Sequence, residues 1–230
     1  MRFSGKTCLV TGAAGNLGRA VAQAFASEGA SLILMDLHAE HLRSVYGGEA
    51  EGRRFAPADL TDAQSVARAL PAGARIDVLC NIAGGFRMGQ PVHETTDDTW
   101  ELMLGLNAKS VINCARTVVP GMIAAGRGKI INIGAIAGLS GKANMAAYIA
   151  SKSAVIRLTE SMAAELRDKG INVNCVLPST IDTPQNRKDM PKADPGRWVA
   201  PEALADVILF LASDAARAIH GASIPVSGLV

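Results

Sequence analysis

Short apolar runs alternate along this chain with longer segments whose apolar positions recur every three to four residues. The runs at 7–10, 31–35, 53–58, 76–82, 129–133, 171–177 and 222–226 have strand length and are bounded by turn-forming residues. Between them, 17–28, 39–45, 62–70, 98–125, 146–169 and 201–212 have helical spacing. The stretch 98–125 predicts one long helix or two joined ones, and Gly170 closes the helix over 146–169 as a C-terminal cap. Strand and helix alternating throughout imply a parallel sheet with helices on both faces, and right-handed crossovers then wind it doubly. We expect one α/β domain over residues 1–230 with a sheet of about seven strands. One segment departs from the pattern. Residues 178–199 form a long connection with Pro178, Pro184, Pro191 and Pro195. It follows the carboxyl end of the sixth strand, where such sheets bind ligands, so a lid over an active site is predicted.

Composition narrows the function classes. The 230 residues are 49% hydrophobic with a formal charge of only +2. That leaves no basic block for nucleic acid or a membrane surface. No window reaches the roughly 18 apolar residues of a membrane span, and the first residues lack a signal-peptide layout, so a cytoplasmic protein is expected. Cys8, Cys80, Cys114 and Cys175 lack metal-ligand spacing and are expected as small buried side chains. His38, His41, His93 and His220 converge on no motif and are expected at the surface; no metal is expected.

Val10-Thr11-Gly12-Ala13-Ala14-Gly15-Asn16-Leu17-Gly18 joins the first strand to the first helix. Gly12 permits the tight turn, Gly15 lets a pyrophosphate approach the backbone, and Gly18 lets helix and sheet pack closely. The helix start offers unpaired N–H groups and partial positive charge to phosphates. A glycine turn is a weak signal alone; between a first strand and a first helix it points to a dinucleotide site on a Rossmann fold. Asp36 ends the second strand, 18 residues beyond Gly18. A carboxylate there accepts hydrogen bonds from ribose hydroxyls and repels a 2′-phosphate, and no Lys or Arg adjoins it. NAD is therefore expected over NADP.

Tyr148-Ile149-Ala150-Ser151-Lys152 sets a phenol and an ammonium four residues apart on one helix face. A free Tyr, with a pKa near 10, is a poor acid–base group at neutral pH, and a neighbouring ammonium is expected to lower that value. Such a pair can exchange a proton with a substrate while hydride moves to or from a nicotinamide.

Taken together, these motifs resemble the short-chain dehydrogenase/reductase family over nearly the full chain. The resemblance implies further roles. Asp59, with Leu60, matches the residue contacting adenine. Asn81, Ala83 and Gly84 match the stretch that supports the sheet and lines the cofactor. Asn107 matches the Asn that holds a water in the proton relay. Tyr148 and Lys152 match the catalytic pair, which also touches the cofactor. Pro178, Ile181 and Thr183 match the stretch gripping the nicotinamide carboxamide. The resemblance also implies a homotetramer, or at least a dimer, built on the helices within 98–125 and 146–169.

Three departures stand out. Asn16 occupies the place of a usual Gly, with the glycine shifted to Gly15; Ser179 also replaces a usual Gly. More consequentially, the family's catalytic Ser falls thirteen residues before the Tyr, where this chain has Ala135. Ser140 is off-register and could substitute only if its loop folds back. Dihydropteridine reductase is a branch that also has Ala there, and the lid from Asp182-Thr183-Pro184 through Asn186, Met190 and Pro191 resembles its lid, as Gly85-Phe86 resembles its Gly-Trp. Ala135, Phe86, Asn186 and Met190 are thus candidate substrate contacts. Three readings follow: an NADH-dependent reductase of a quinonoid dihydropterin or similar conjugated compound; a carbonyl reductase or alcohol dehydrogenase of ketones or 3-oxoacyl thioesters; and a non-catalytic NAD-binding sensor or scaffold.

Overall fold

A computed structural model of the chain describes residues 1–71 and 73–230. Its strands are β1 (Thr7–Thr11), β2 (Ser31–Met35), β3 (Arg53–Phe55), β4 (Val78–Asn81), β5 (Gly128–Ile133), β6 (Ile171–Pro178) and β7 (Ser223–Val226). The helices are α1 (Asn16–Ser27), α2 (Ala39–Tyr46), α3 (Ala63–Ala69), α4 (Asp97–Leu104), α5 (Ser110–Ala125), α6 (Ala146–Leu166), α7 (Pro184–Asp189) and α8 (Pro201–Ala212). The seven strands form one sheet in the order β3-β2-β1-β4-β5-β6-β7 with every pairing parallel. This is the doubly wound Rossmann arrangement, and the direction of winding reverses between β1 and β4. Ligands bind at the carboxyl ends of strands beside such a reversal.

Successive side chains leave a strand on opposite faces, and the core divides accordingly. Cys8 and Val10 of β1 pack with Val21, Phe25, Leu204 and Ile208 in the α1–α8 layer. Leu9 between them packs with Cys114, Val118, Met122 and Ile130 in the layer under α5. Each fully buried Leu, Ile or Phe contributes about 1.5–3 kcal/mol. All four cysteines are buried and all four histidines exposed. No helix among the described residues is long and apolar enough to cross a membrane.

The structure trims or divides several predicted elements. β3 stops at Phe55 instead of residue 58; Pro57 follows at the free edge of the sheet, where its missing N–H costs no ladder bond. Ala56 and Ala58 still donate to Leu34 and Asp36, so the chain keeps its direction. The fourth strand, predicted over 76–82, spans only Val78–Asn81. The stretch 98–125 is two joined helices, α4 and α5, separated by a π-helical turn at Gly105–Lys109. Gly170 caps the end of the α6 segment with φ 76°. The predicted lid loop contains α7, because Thr183 Oγ1 accepts from Asn186 N (3.1 Å) and Pro184 starts the helix with its φ already set.

Candidate active site

The turn after β1 is built by close contact. Gly12 has φ 61°, and a Cβ there would lie 2.8 Å from Ala83 Cα; a Cβ at Gly18 would lie 2.1 Å from Gly12 O. Both sites exclude a side chain, so the turn lies flat against the end of β4. Gly15 caps α1 with no side-chain bond, and the first turn of the helix carries no acidic residue. The helix therefore starts with N–H groups and partial positive charge at a cleft of about 590 Å³. That cleft brings together Gly12, Gly15, Asn16, Leu17 and Gly18 from the turn with Asp36, Asp59, Leu60, Ala83, Gly84 and Thr183. Its volume, open helix end and glycine floor fit a dinucleotide.

Asp36 is held rigidly in this cleft. Its Oδ2 accepts from Ala14 N (3.0 Å) and its Oδ1 from Leu37 N (2.9 Å), which fixes the carboxylate at the tip of β2. No Lys or Arg is among the described residues lining the cleft. Asp59 organises its own turn, with Oδ1 accepting from Thr61 N (2.8 Å) and Thr61 Oγ1 (2.7 Å). His41, Ser44 and Val45 of α2 and Leu106 of the π turn also line the cleft. No local motif marks these four; they arrive by tertiary placement.

Ala83 and Gly84 connect this cleft to the α6 face. Thr11 Oγ1 accepts from Ile82 N (3.0 Å) and Ala83 N (3.1 Å), pinning the segment after β4. A Cβ on Gly84 would meet Asn107 Oδ1 at 2.6 Å and Lys152 Nζ at 3.3 Å, so both side chains reach the cleft wall there. Asn107 Oδ1 accepts from Gly85 N (2.9 Å), and its Nδ2 donates to Gly85 O (3.0 Å) and Ser151 Oγ (2.9 Å). Ser151 Oγ donates in turn to Tyr148 O (2.7 Å). The π turn is what offers Asn107 sideways to Gly85, and one buried amide thereby ties three segments together. Ser151 was not singled out by the motif; its signal is its place between Tyr148 and Lys152.

The charges differ from the expectation for this pair. Burial pushes the Tyr148 phenol up to about 12, with no lowering by Lys152. The reason is the ammonium's direction: Lys152 Nζ is buried and donates to Ile133 O (2.9 Å). Desolvation brings Lys152 down to about 8. Phe86 packs edge-on against Tyr148, with ring centroids 4.9 Å apart, making an aromatic wall beside the phenol. Ala135 is buried in extended backbone ahead of a 3₁₀ turn whose Gly138 presses on Lys152. Ser140 is exposed beyond that turn, and its hydroxyl bonds to no described residue.

Some expected contacts serve the frame. Asn81 is buried and donates to Asn132 Oδ1 (2.8 Å), while Asn132 donates to Thr159 Oγ1 (2.9 Å), bridging β4, β5 and α6; Asn81 does not line the cleft. Pro178 ends β6 opposite Val226, and Ile181 bridges to Val199, so the two hang the lid while Thr183 reaches the cleft. Asn186 Nδ2 donates to Ile181 O (2.8 Å), which spends its amide on the lid itself. Met190 is partly exposed at the end of α7.

The short chain dehydrogenase family model matches residues 6–194. The chain is 38% identical to a 3-oxoacyl-[acyl-carrier-protein] reductase of Thermotoga maritima, covering 99% of this chain and 98% of that one. It is 36% identical to the meso-2,3-butanediol dehydrogenase of Serratia marcescens, covering 99% and 95%. Among solved structures, it is similar to a 3-oxoacyl-[acyl-carrier protein] reductase with bound NAD from Brucella melitensis (TM-score 0.89, 29% identity, covering 100% and 92%) and to an NAD⁺-bound xylitol dehydrogenase (TM-score 0.90, 29% identity, covering 99% and 100%). With this match over most of its length, the chain belongs to the short-chain dehydrogenase/reductase family and is an oxidoreductase.

Proposed function

We propose that this oxidoreductase uses NAD(H) to interconvert a hydroxyl and a carbonyl on a small substrate, with Tyr148 as the acid–base group. The observation carrying this reading is the junction at Gly84, where Lys152 and Asn107 of the α6 side meet the wall of the dinucleotide-shaped cleft. The hydroxyl and carbonyl chemistry named for the relatives supports the substrate class. Bound NAD(H) supplies or accepts the hydride. In reduction, the Tyr148 hydroxyl gives its proton to the substrate oxygen, and Lys152 balances the phenolate left behind. Its ammonium donates to Ile133 O, which holds it at the head of α6 beside the cleft wall. Asn107 keeps Gly85 and the start of α6 in register. Ala135 offers a methyl where a hydroxyl would steady a developing alkoxide.

That methyl favours a second reading. A conjugated substrate such as a quinonoid dihydropterin takes hydride into its ring system and builds no alkoxide beside Ala135. The flat Phe86 wall suits such a ring, and the lid resemblance points the same way. A panel following NADH consumption with 3-oxoacyl thioesters, simple ketones, vicinal diketones and quinonoid dihydropterin separates the two readings.

NADH should exceed NADPH in kcat/KM by tenfold or more, on the order of one unfavourable charge contact. Asp36 is the cause, since its carboxylate lines a cleft with no Lys or Arg among the described lining residues to receive a 2′-phosphate. An NADPH preference in parallel steady-state assays overturns this assignment.

The chain should also form a homotetramer, or at least a dimer, through the faces of α4, α5 and α6. Ile123 on α5 and Trp100 on α4 are exposed large apolar residues that such an interface would cover. Light scattering at micromolar concentration tests this, and a mass of one chain would refute it.

A further inference from the structure

The amino ends of the central strands, opposite the cofactor cleft, frame a second and strongly cationic depression. It is a cleft of about 390 Å³ at the starts of β1, β4, β5 and β6. Six cationic side chains line it (Arg2, Lys6, Arg127, Lys129, Arg167 and Arg217) against two carboxylates, Asp77 and Asp214. This local excess is larger than the +2 of the whole chain, so the rest of the molecule is net negative.

Two of the six are already engaged. Arg2 pairs with Glu28 at 2.8 Å and Arg127 with Asp77 at 3.4 Å, while Asp77 also takes Arg75 and Thr7 N. Lys6, Lys129, Arg167 and Arg217 have no carboxylate within ion-pair distance among the described residues. They come from four separate chain segments, so no helical repeat explains their meeting.

The cleft is also built rather than incidental. Asn172 is buried at its floor; its Oδ1 accepts from Lys129 Nζ (2.8 Å), and its Nδ2 donates to Arg217 O (2.9 Å) and Ile219 O (3.0 Å). One amide thus fixes both the Lys129 ammonium and the segment bearing Arg217. Half-buried Lys129 has its pKa lowered by desolvation, against a smaller upward pull from Asp214 and with a still weaker downward push from Lys6. An ammonium so placed gains from an anion more than an exposed one does.

We propose that this cleft binds a small phosphate-class anion carrying at least two negative charges, a pyrophosphate or a phosphorylated metabolite, through Lys6, Lys129, Arg167 and Arg217. A compact ligand follows from the concave shape and modest volume, within the usual range for small-molecule sites. A nucleic acid would need cationic charge extending over the surrounding surface, and the remainder of this chain is net negative.

Calorimetric titration with inorganic pyrophosphate tests the site, using protein saturated with NADH so that the cofactor's phosphate cradle is filled. We expect saturable binding of one anion per chain that sodium chloride of matched ionic strength does not reproduce. Lys129→Gln and Arg217→Gln should each weaken it about tenfold, comparable to one charge-assisted contact, and leave NADH affinity unchanged. Arg217 is exposed, so its variant folds even if Lys129→Gln does not. Absent binding in the NADH-saturated protein, an equal response to chloride, or full affinity in the Arg217→Gln protein would each overturn the proposal.

Discussion

Tyr148→Phe is expected to lower kcat by about 10²–10⁴-fold while leaving NADH affinity within a few-fold of the parent. The phenol has little role in the frame: its hydroxyl makes no hydrogen bond to a described residue, and its ring rests against Phe86. Removing one oxygen should therefore cost proton transfer and little else. The pH profile should carry a second signature. Lys152 sits down at about 8 and Tyr148 up at about 12, both displaced by burial. Below pH 8 the ammonium is present and can balance the phenolate formed during reduction. As pH rises through about 8 that charge is lost, so kcat/KM for reduction should fall on the alkaline side well before the phenol itself titrates. Lys152→Arg, which stays charged, should move that limb upward even at a reduced rate. Single-turnover and steady-state rates on the same verified substrate decide the matter. A Phe variant with near-parental turnover would remove Tyr148 from the chemistry.

The features readable in the sequence are those set by local spacing. Gly12 and Gly18 were legible because only glycine fits where a Cβ would overlap Ala83 or Gly12 O. Tyr148 and Lys152 were legible because four residues span one helical turn, and Asp36 because it ends a strand. What depends on neighbours distant in sequence was not legible. The direction of the Lys152 ammonium follows from where β5 puts Ile133 O, and the rise of the Tyr148 phenol follows from its burial; neither is set by local spacing. The two bonds that hold the Asn107 amide reach Gly85, twenty-two residues away, and no local spacing announces them. The bond from Asn186 Nδ2 to Ile181 O within the lid was likewise not legible, because it depends on how the segment folds back on itself. The cationic cleft joins segments from one end of the chain to the other and leaves no motif at all.

Ala135→Ser should raise the rate on ketones or 3-oxoacyl thioesters by about 10²–10³-fold if those are the chemistry this fold performs, since that is the usual worth of one donor at a developing oxyanion. The site can take the change. Ser is nearly the size of Ala, and Ala135 lies in extended backbone that either residue adopts. Its backbone O already accepts from Gly138 N, so the turn that follows does not depend on the side chain. The gain should appear mainly in kcat, because the new bond strengthens as charge builds on the substrate oxygen. A quinonoid dihydropterin responds differently. Hydride enters a conjugated ring, the charge spreads over several atoms, and proton delivery by Tyr148 against the Phe86 wall suffices; the variant should then be unchanged or slower. Measuring both proteins on one 3-oxoacyl thioester and on quinonoid dihydropterin gives a crossed comparison. A large thioester gain with no parental pterin turnover eliminates the conjugated-ring reading. Parental pterin turnover that the added hydroxyl does not improve would show Ala135 to be a specificity choice and not a lost catalytic group.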